Sequence, residues 1–222
     1  MSLLYFLLPL EAVLAFAYAF IKRNGDFALR LTIKLLASAV FILISLSCGF
    51  GSGALYMLIF LGLCTSFIGD ALLLFKGSRL FLAGMAAFAV THILYITAFL
   101  FAAPFKLIDL AFFAVYYITG IFFITRKGLN LGKLKIPVFI YMALLCFMAA
   151  KAASLLMTQL NLTAVLLAAA GAAMFAFSDL FLIYEGYYNK HNRTFGIINT
   201  LLYFSGQTMI ALCAALTVIN HF

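Results

Sequence analysis

GALYMLIFLGLCTSFIGDALLLF, residues 53–75, carries a single charge, Asp70. A helix rises about 1.5 Å per residue, so this run is long enough to cross a hydrocarbon core of roughly 30 Å. Seven further apolar runs accompany it, and the eight predicted spans are 2–21, 31–49, 53–75, 80–101, 107–125, 135–157, 161–184 and 195–218. The breaks between them have loop chemistry: KRNGD, FGSG, KGSR, APFK, RKGLNLGK and EGYYNKHNR. Helices are the only open-ended elements that satisfy their own backbone in lipid. The expected fold is therefore all-α, a polytopic membrane bundle of eight transmembrane helices forming one domain over residues 1–222.

Composition agrees. Apolar residues make up 68% of the chain and charged residues 9%, with mean hydropathy at +1.22. Soluble domains carry about 25% charged residues, so no water-soluble fold could hide this much apolar surface. The first run lacks a basic leader and is expected to be a span, not a cleaved signal. Cys48, Cys64, Cys146 and Cys213 lie in or beside apolar runs without CxxC spacing, and read as small buried hydrophobes.

The net charge of +8 might suggest nucleic acid, but the placement of the charges says otherwise. Eleven of the fourteen basic residues fall in the loops following spans one, three, five and seven. The opposite face holds Lys106 alone, and Lys34 and Lys151 lie within spans. By the positive-inside rule the basic loops are expected to be cytoplasmic and both termini outside. Membrane lipids, not nucleic acid, are the expected surroundings of this charge.

An ionised side chain at mid-helix costs roughly 2.5–3.5 kcal/mol on insertion scales and faces a partner or a wet cavity. Glu11, Lys34, Asp70, Lys151 and Asp179 are the candidates. Lys34 lies one turn in from Arg30; Asp70 precedes Lys76 by six residues, and Asp179 precedes Glu185 by six. All three therefore belong to the cytoplasmic half, and two aspartates at matching depth are the strongest feature of the chain. His92, Tyr95 and Tyr141 reach the same half or the midplane. So do Tyr203 and Gln207, which share a helix face by their i, i+4 spacing, and Ser178 adjoins Asp179. A polar pocket open to the cytoplasm would satisfy them together.

Plainer readings stand beside this one. Asp70 and Lys34 also suit a structural ion pair, His92 an interhelical hydrogen bond, and the three tyrosines packing or interfacial roles. Glu11 and Lys151 are expected to be structural and paired with each other. Asp109, at the outer boundary beside Lys106, needs no special role, and Glu185 and His191 belong to a solvated loop. The small-residue run AVLLAAAGAAMFAFSD (164–179) suits close helix packing. GDALLLF and SDLFLIY each end a span with Asp before a basic loop, a faint sign of a four-plus-four duplication.

FIGDALLL (67–74) followed by AFAVTHILYI (87–96) resembles the third and fourth spans of the YhhN-like lysoplasmalogenase family. GAAMFAFSD (171–179) resembles its seventh-span motif, and Tyr203 with Gln207 its Tyr-x-x-x-Gln pattern. Lys34 falls where that family has a lysine early in span two, and Tyr141-Met142 resembles a segment of span six. Phe181 departs from the pattern, where a smaller residue is expected. The resemblance implies hydrolysis of the vinyl ether bond of lysoplasmalogens, a class of lysophospholipid. The products are a fatty aldehyde and a glycerophospho-ethanolamine or -choline, and no cofactor or metal is implied. Such chemistry needs a proton for the alkene carbon and a carboxylate for the resulting cation or its water, as in glycoside hydrolysis. Asp70 and Asp179 suit that pair, with His92 as proton relay or water-orienting group. Tyr95, Tyr203 and Gln207 would hold water or glycerol oxygens, with Tyr141 and Ser178 beside them, and Lys34 would orient a carboxylate or meet the phosphate.

Two rivals remain. A zinc hydrolase would want three protein ligands, commonly His, and His92 alone lies within a span. A transporter or flippase would suit polar residues at mid-depth and a repeat, but Pro9, Pro104 and Pro137 all lie near span ends. The compact loops suit a bacterial inner-membrane protein.

Overall fold

The structure is a computed structural model and describes residues 2–22, 24–48, 53–75, 77–126, 129, 131–185 and 193–218. Lys76 and His191, named above, and Arg23, Lys127 and Lys190 of the basic loops lie outside the described residues, as does most of the turn between the second and third spans.

Eight helices account for the eight runs: α1 Ser2–Ile21, α2 Phe27–Ser47, α3 Ala54–Leu74, α4 Ser78–Ala102, α5 Leu107–Ile124, α6 Lys135–Ser154, α7 Leu162–Ile183 and α8 Arg193–Val218. Each is long and apolar enough to cross a membrane, and the chain is a multi-pass bundle. The boundaries follow local chemistry. α2 begins at Phe27, four residues before the expected start, and Arg30 in its first turn donates from Nη1 to the Lys22 carbonyl at 3.2 Å. α7 begins at Leu162 because Asn161 caps it, its side-chain oxygen accepting from the Ala164 amide at 3.0 Å. α6 ends at Ser154 and a 3-10 turn carries the chain on through Met157. Pro9 is not near an end: it sits well inside α1, where its missing N–H removes one rung of the helix ladder.

The bundle is inverted relative to a soluble protein. Phe6, Val115 and Ile140 expose 64%, 66% and 62% of their surface, while Lys34, Asp70, His92, Lys151 and Gln207 are buried. Apolar surface facing outward on every side is what a lipid solvent permits. With no water-driven collapse between spans, close packing of small residues has to hold the helices together. The crossing of α7 and α8 does so: a Cβ on Gly171 would stand 2.8 Å from the Gly206 carbonyl oxygen, and one on Gly206 would stand 2.8 Å from the Gly171 oxygen. Only glycine at both positions lets the two backbones meet. α8 also packs on α1, α2 and α3, while α6 packs on α4, α5 and α7, leaving α5 on the periphery.

Two expectations about charges are corrected here. Lys151 does not pair with Glu11; its ammonium donates to Asp109 Oδ2 at 3.0 Å and to the Pro104 carbonyl at 3.1 Å. Asp109 therefore does have a role. Its Oδ2 also accepts from the Lys106 amide at 3.0 Å, so one buried carboxylate starts α5 and ties it to α6. The two side chains meet because Lys151 lies in the last turn of α6 and Asp109 in the first turn of α5, at the same end of the bundle. Glu11 is buried in α1, and neither of its carboxylate oxygens has a hydrogen-bond partner among the described residues.

Candidate active site

Asp70 and Asp179 each stand four residues before the last residue of their helix, Leu74 and Ile183. At 1.5 Å per residue that is about 6 Å in from the helix end on the basic face. Both line one cavity of about 380 Å³. Its walls are the last turns of α1, α3 and α7 and the first turns of α2 and α8, so it lies at the basic end of the bundle.

Asp70 is 1% exposed, and both of its carboxylate oxygens have partners. Lys34 Nζ lies 2.9 Å from Oδ1, and Ser38 Oγ and Tyr203 OH each donate to Oδ2 at 2.6 Å. Lys34 and Ser38 are four residues apart, hence stacked on one face of α2, and the ammonium lies 5.9 Å from the Tyr18 ring centre. One carboxylate thereby joins α2, α3 and α8. The glycine before it has a separate purpose. A Cβ on Gly69 would fall 2.7 Å from the Phe88 ring, so the Gly-Asp pair places an aromatic wall beside the acid. Phe88 packs edge-on against Phe175 and Tyr203, with ring centres 5.9 Å away in both cases.

Asp179 has a different environment. No Lys or Arg among the described residues forms an ion pair with it. Its Oδ2 is hydrogen-bonded by the Tyr141 hydroxyl, and that oxygen lies 3.0 Å from His92 Nε2. A phenol has one proton to give. When Tyr141 donates to Asp179, His92 must donate from Nε2, and the chain runs His92 to Tyr141 to Asp179. His92 Nδ1 has no hydrogen-bond partner among the described residues, and the ring lies against Phe175 at 5.0 Å between centres.

The remaining expected residues fall into two groups. Lys34 and Tyr203 line the cavity with the aspartates, while His92 and Tyr141 stand behind Asp179. Tyr95 donates to Gln207 Oε1 at 2.8 Å, one turn deeper than Tyr203, and neither lines the cavity. Ser178 donates back to the Phe175 carbonyl at 2.7 Å, and its own carbonyl accepts from Asn199 Nδ2 at 2.7 Å; its hydroxyl is spent inside α7. Phe181, the departure from the family pattern, packs on Phe195 with ring centres 5.8 Å apart and does not line this cavity. Among the described residues no three His, Cys, Asp or Glu side chains converge into a metal-holding group.

Several residues of the site are not legible in the sequence. Ser38 could have been found as the residue one turn beyond Lys34. Glu185 is not in a solvated loop: a wider helical turn at 184–185 carries it back to the cavity, where it meets Lys22 Nζ at 2.6 Å. Lys22 also donates to Asn199 Oδ1 at 3.0 Å. Arg30 and Arg193 complete the mouth, and neither is paired with a carboxylate among the described residues.

The order and spacing of these groups run along the whole chain, and a model of the YhhN family matches residues 7–214. The chain belongs to the YhhN family. Searches among curated proteins and among solved structures find no match. Family membership covers α1 to α8 and so includes both aspartates, the His92–Tyr141 pair and the basic mouth.

Proposed function

We propose that this protein is a lysoplasmalogenase. It adds water across the vinyl ether bond of a lysoplasmalogen and releases a fatty aldehyde and a glycerophospho-ethanolamine or -choline. The observation that carries the reading is the pair of unequal aspartates on one cavity wall: Asp70 is held by a lysine and two hydroxyls, whereas Asp179 is hydrogen-bonded by the Tyr141 phenol and has no ion-pair partner among the described residues. The family of the chain is compatible with a hydrolase of this kind.

The inequality divides the work. Three donors converge on Asp70, which suits an ionised carboxylate and leaves a lone-pair direction on Oδ1 free for water. Asp179 is the acid. Its proton goes to the alkene carbon one removed from the ether oxygen, and the double bond's electron pair forms the new C–H bond. The oxygen-bearing carbon becomes an oxocarbenium ion, water adds to it, and Asp70 takes the water's second proton. The hemiacetal then breaks its bond to the glycerol oxygen, which receives that proton, while the hydroxyl proton of the departing aldehyde restores Asp179. The proton rides on Asp179 Oδ1, so Oδ2 still accepts from Tyr141 and His92 still donates from Nε2 to the Tyr141 oxygen. His92 is thus a positioning residue acting through Tyr141.

The basic mouth suits a phosphodiester: Arg30 and Arg193 line the cavity and have no carboxylate partner among the described residues. A shallow site fits a lipid whose headgroup stays in the interface. The positive-inside rule makes this face cytoplasmic, and the compact loops suit a bacterial inner membrane.

Purified protein in detergent, given lysoplasmenyl-ethanolamine, should release aldehyde without added metal. Asp70→Asn and Asp179→Asn should each lower turnover at least 10²-fold while eluting as the wild type does. Wild-type protein that yields no aldehyde in detergent but moves the lipid between leaflets once reconstituted in vesicles would favour the transporter; near-normal turnover in both variants would defeat the acid–base assignment.

A further inference from the structure

Asp179 lines two spaces, not one. Besides the polar cavity it borders an apolar groove of about 220 Å³ between α5, α6 and α7. The helix explains how. At 100° per residue, Ala176, Leu180 and Ile183 lie on one side of Asp179 and face the groove, while Leu182 and Glu185 lie on the other and face the cavity. The acid sits on the seam between them.

The chemistry assigns a meaning to that seam. Protonation of a vinyl ether occurs at the carbon where the hydrocarbon chain begins, whereas water attacks on the side of the glycerol oxygen. The proton donor must border the space that holds the chain, and the base must border the space that holds water. Resting on the lysoplasmalogenase reading, we infer that the alkenyl chain of the substrate lies in the α5–α7 groove, with its first carbons against Asp179 and its glycerol end in the polar cavity.

The groove suits this occupant. Gly120, Met142, Leu145, Cys146 and Ala176 line it, and Asp179 with the Tyr141 hydroxyl forms its polar end. Taking about 30 Å³, the liquid-volume share of one water, for each methylene, it holds roughly seven carbons. The rest of a longer chain has a way out, because Val115, on the groove's α5 wall, is 66% exposed on the lipid-facing side. α5 is also the helix least buried in the bundle, so the substrate can arrive sideways from the bilayer without crossing the basic mouth.

The test uses a lysophospholipid with a saturated ether chain, which cannot be hydrolysed, bearing a photoreactive diazirine near its sixth carbon. Irradiated with the full-length protein in detergent, it should label peptides from 115–124, 141–146 and 176–183, in competition with unlabelled lipid. Saturable label on α1 to α4 instead would overturn the inference. Turnover gives a second reading. In Ala176→Phe, which fills the groove one turn from the acid, the ratio of hexadecenyl to octenyl substrate turnover should fall at least tenfold; an unchanged ratio would also overturn it. Labelling needs no catalysis and no variant. Groove labelling by a wild type that releases no aldehyde would therefore keep the chain site and discard the hydrolase, and aldehyde release with label elsewhere would do the reverse.

Discussion

Replacing Lys34 with Met removes the ammonium that stands 2.9 Å from Asp70 Oδ1 and keeps most of the volume of its stem. Both groups are buried, at 9% and 1% exposure. Removing one partner of a buried pair typically costs 3–5 kcal/mol because the other charge is left without compensation. Ser38 and Tyr203 still donate to Oδ2, and the cavity admits water, so the expected loss sits at the lower end, about 3 kcal/mol. For a chain of this size that corresponds to a drop of about 6–12 °C in Tm. Asp70→Asn alone strands the ammonium and should cost a comparable amount. The double variant removes both charges, leaves an amide that still accepts from Ser38 and Tyr203, and should cost clearly less than the two singles together.

The measurement is a double-mutant cycle on thermal unfolding in one detergent, with aldehyde turnover recorded on the same samples. A coupling of about 2 kcal/mol is expected, and no turnover in any variant that lacks Asp70. If the two substitutions add within about 0.5 kcal/mol, the groups are independent. Lys34 would then be a headgroup ligand that happens to lie near an acid, and the assignment of Asp70 as the fixed, ionised member of the pair would lose its support. Lys34→Arg distinguishes charge from shape: retaining the charge should restore most of the Tm but not the full rate, because a guanidinium is wider than the ammonium the site was built around.

Tyr141→Phe deletes the hydroxyl between His92 and Asp179 and should lower kcat 10²-fold or more with KM little changed; adding His92→Ala should cost almost nothing further, since the relay is already cut. Gly171→Val puts a side chain 2.8 Å from the Gly206 carbonyl oxygen and should destabilise by about 1–3 kcal/mol through forced separation of α7 and α8, seen as a lower Tm and broader elution. Asp109→Asn strands Lys151 far from the cavity, and should lower Tm by several degrees while turnover at low temperature stays within about twofold of wild type; a large loss of turnover in a well-folded Asp109→Asn would place that pair in the catalytic machinery after all.

What could be read from the sequence was depth. Counting residues from a loop gives a side chain's height in the membrane, and that placed Asp70, Asp179 and Lys34 in the same half, where they share a cavity. What could not be read was rotation. Which way a side chain points around its helix depends on how each helix turns toward its neighbours, and these helices give little hint because they are apolar all round. So Tyr95, Gln207 and Ser178, whose depth can be counted from the loops, do not line the cavity. The pairing of Lys151 with Asp109 was legible by the same measure of depth, since both lie at one end of the bundle. Glu185 is illegible for another reason: a span ending at 184 leaves it in the loop, whereas a wider turn at 184–185 returns it to the cavity.

The two aspartates show why depth and rotation must act together at such a site. A soluble enzyme can raise or lower an acid's proton affinity by burying it to different extents, but in a bilayer every inward residue is buried and burial alone separates nothing. What differs between Asp70 and Asp179 is partners. On α2, Lys34 and Ser38 stack one turn apart and reach the first acid together; α6 offers the second only a phenol backed by a histidine. Equal height brings both acids to one cavity, and in the proposed mechanism their unequal neighbours divide the roles of acid and base between them. Moving a lysine to the Asp179 side, for example by Ala176→Lys, should therefore abolish turnover even with every proposed catalytic residue in place, because the site would then hold two bases and no acid.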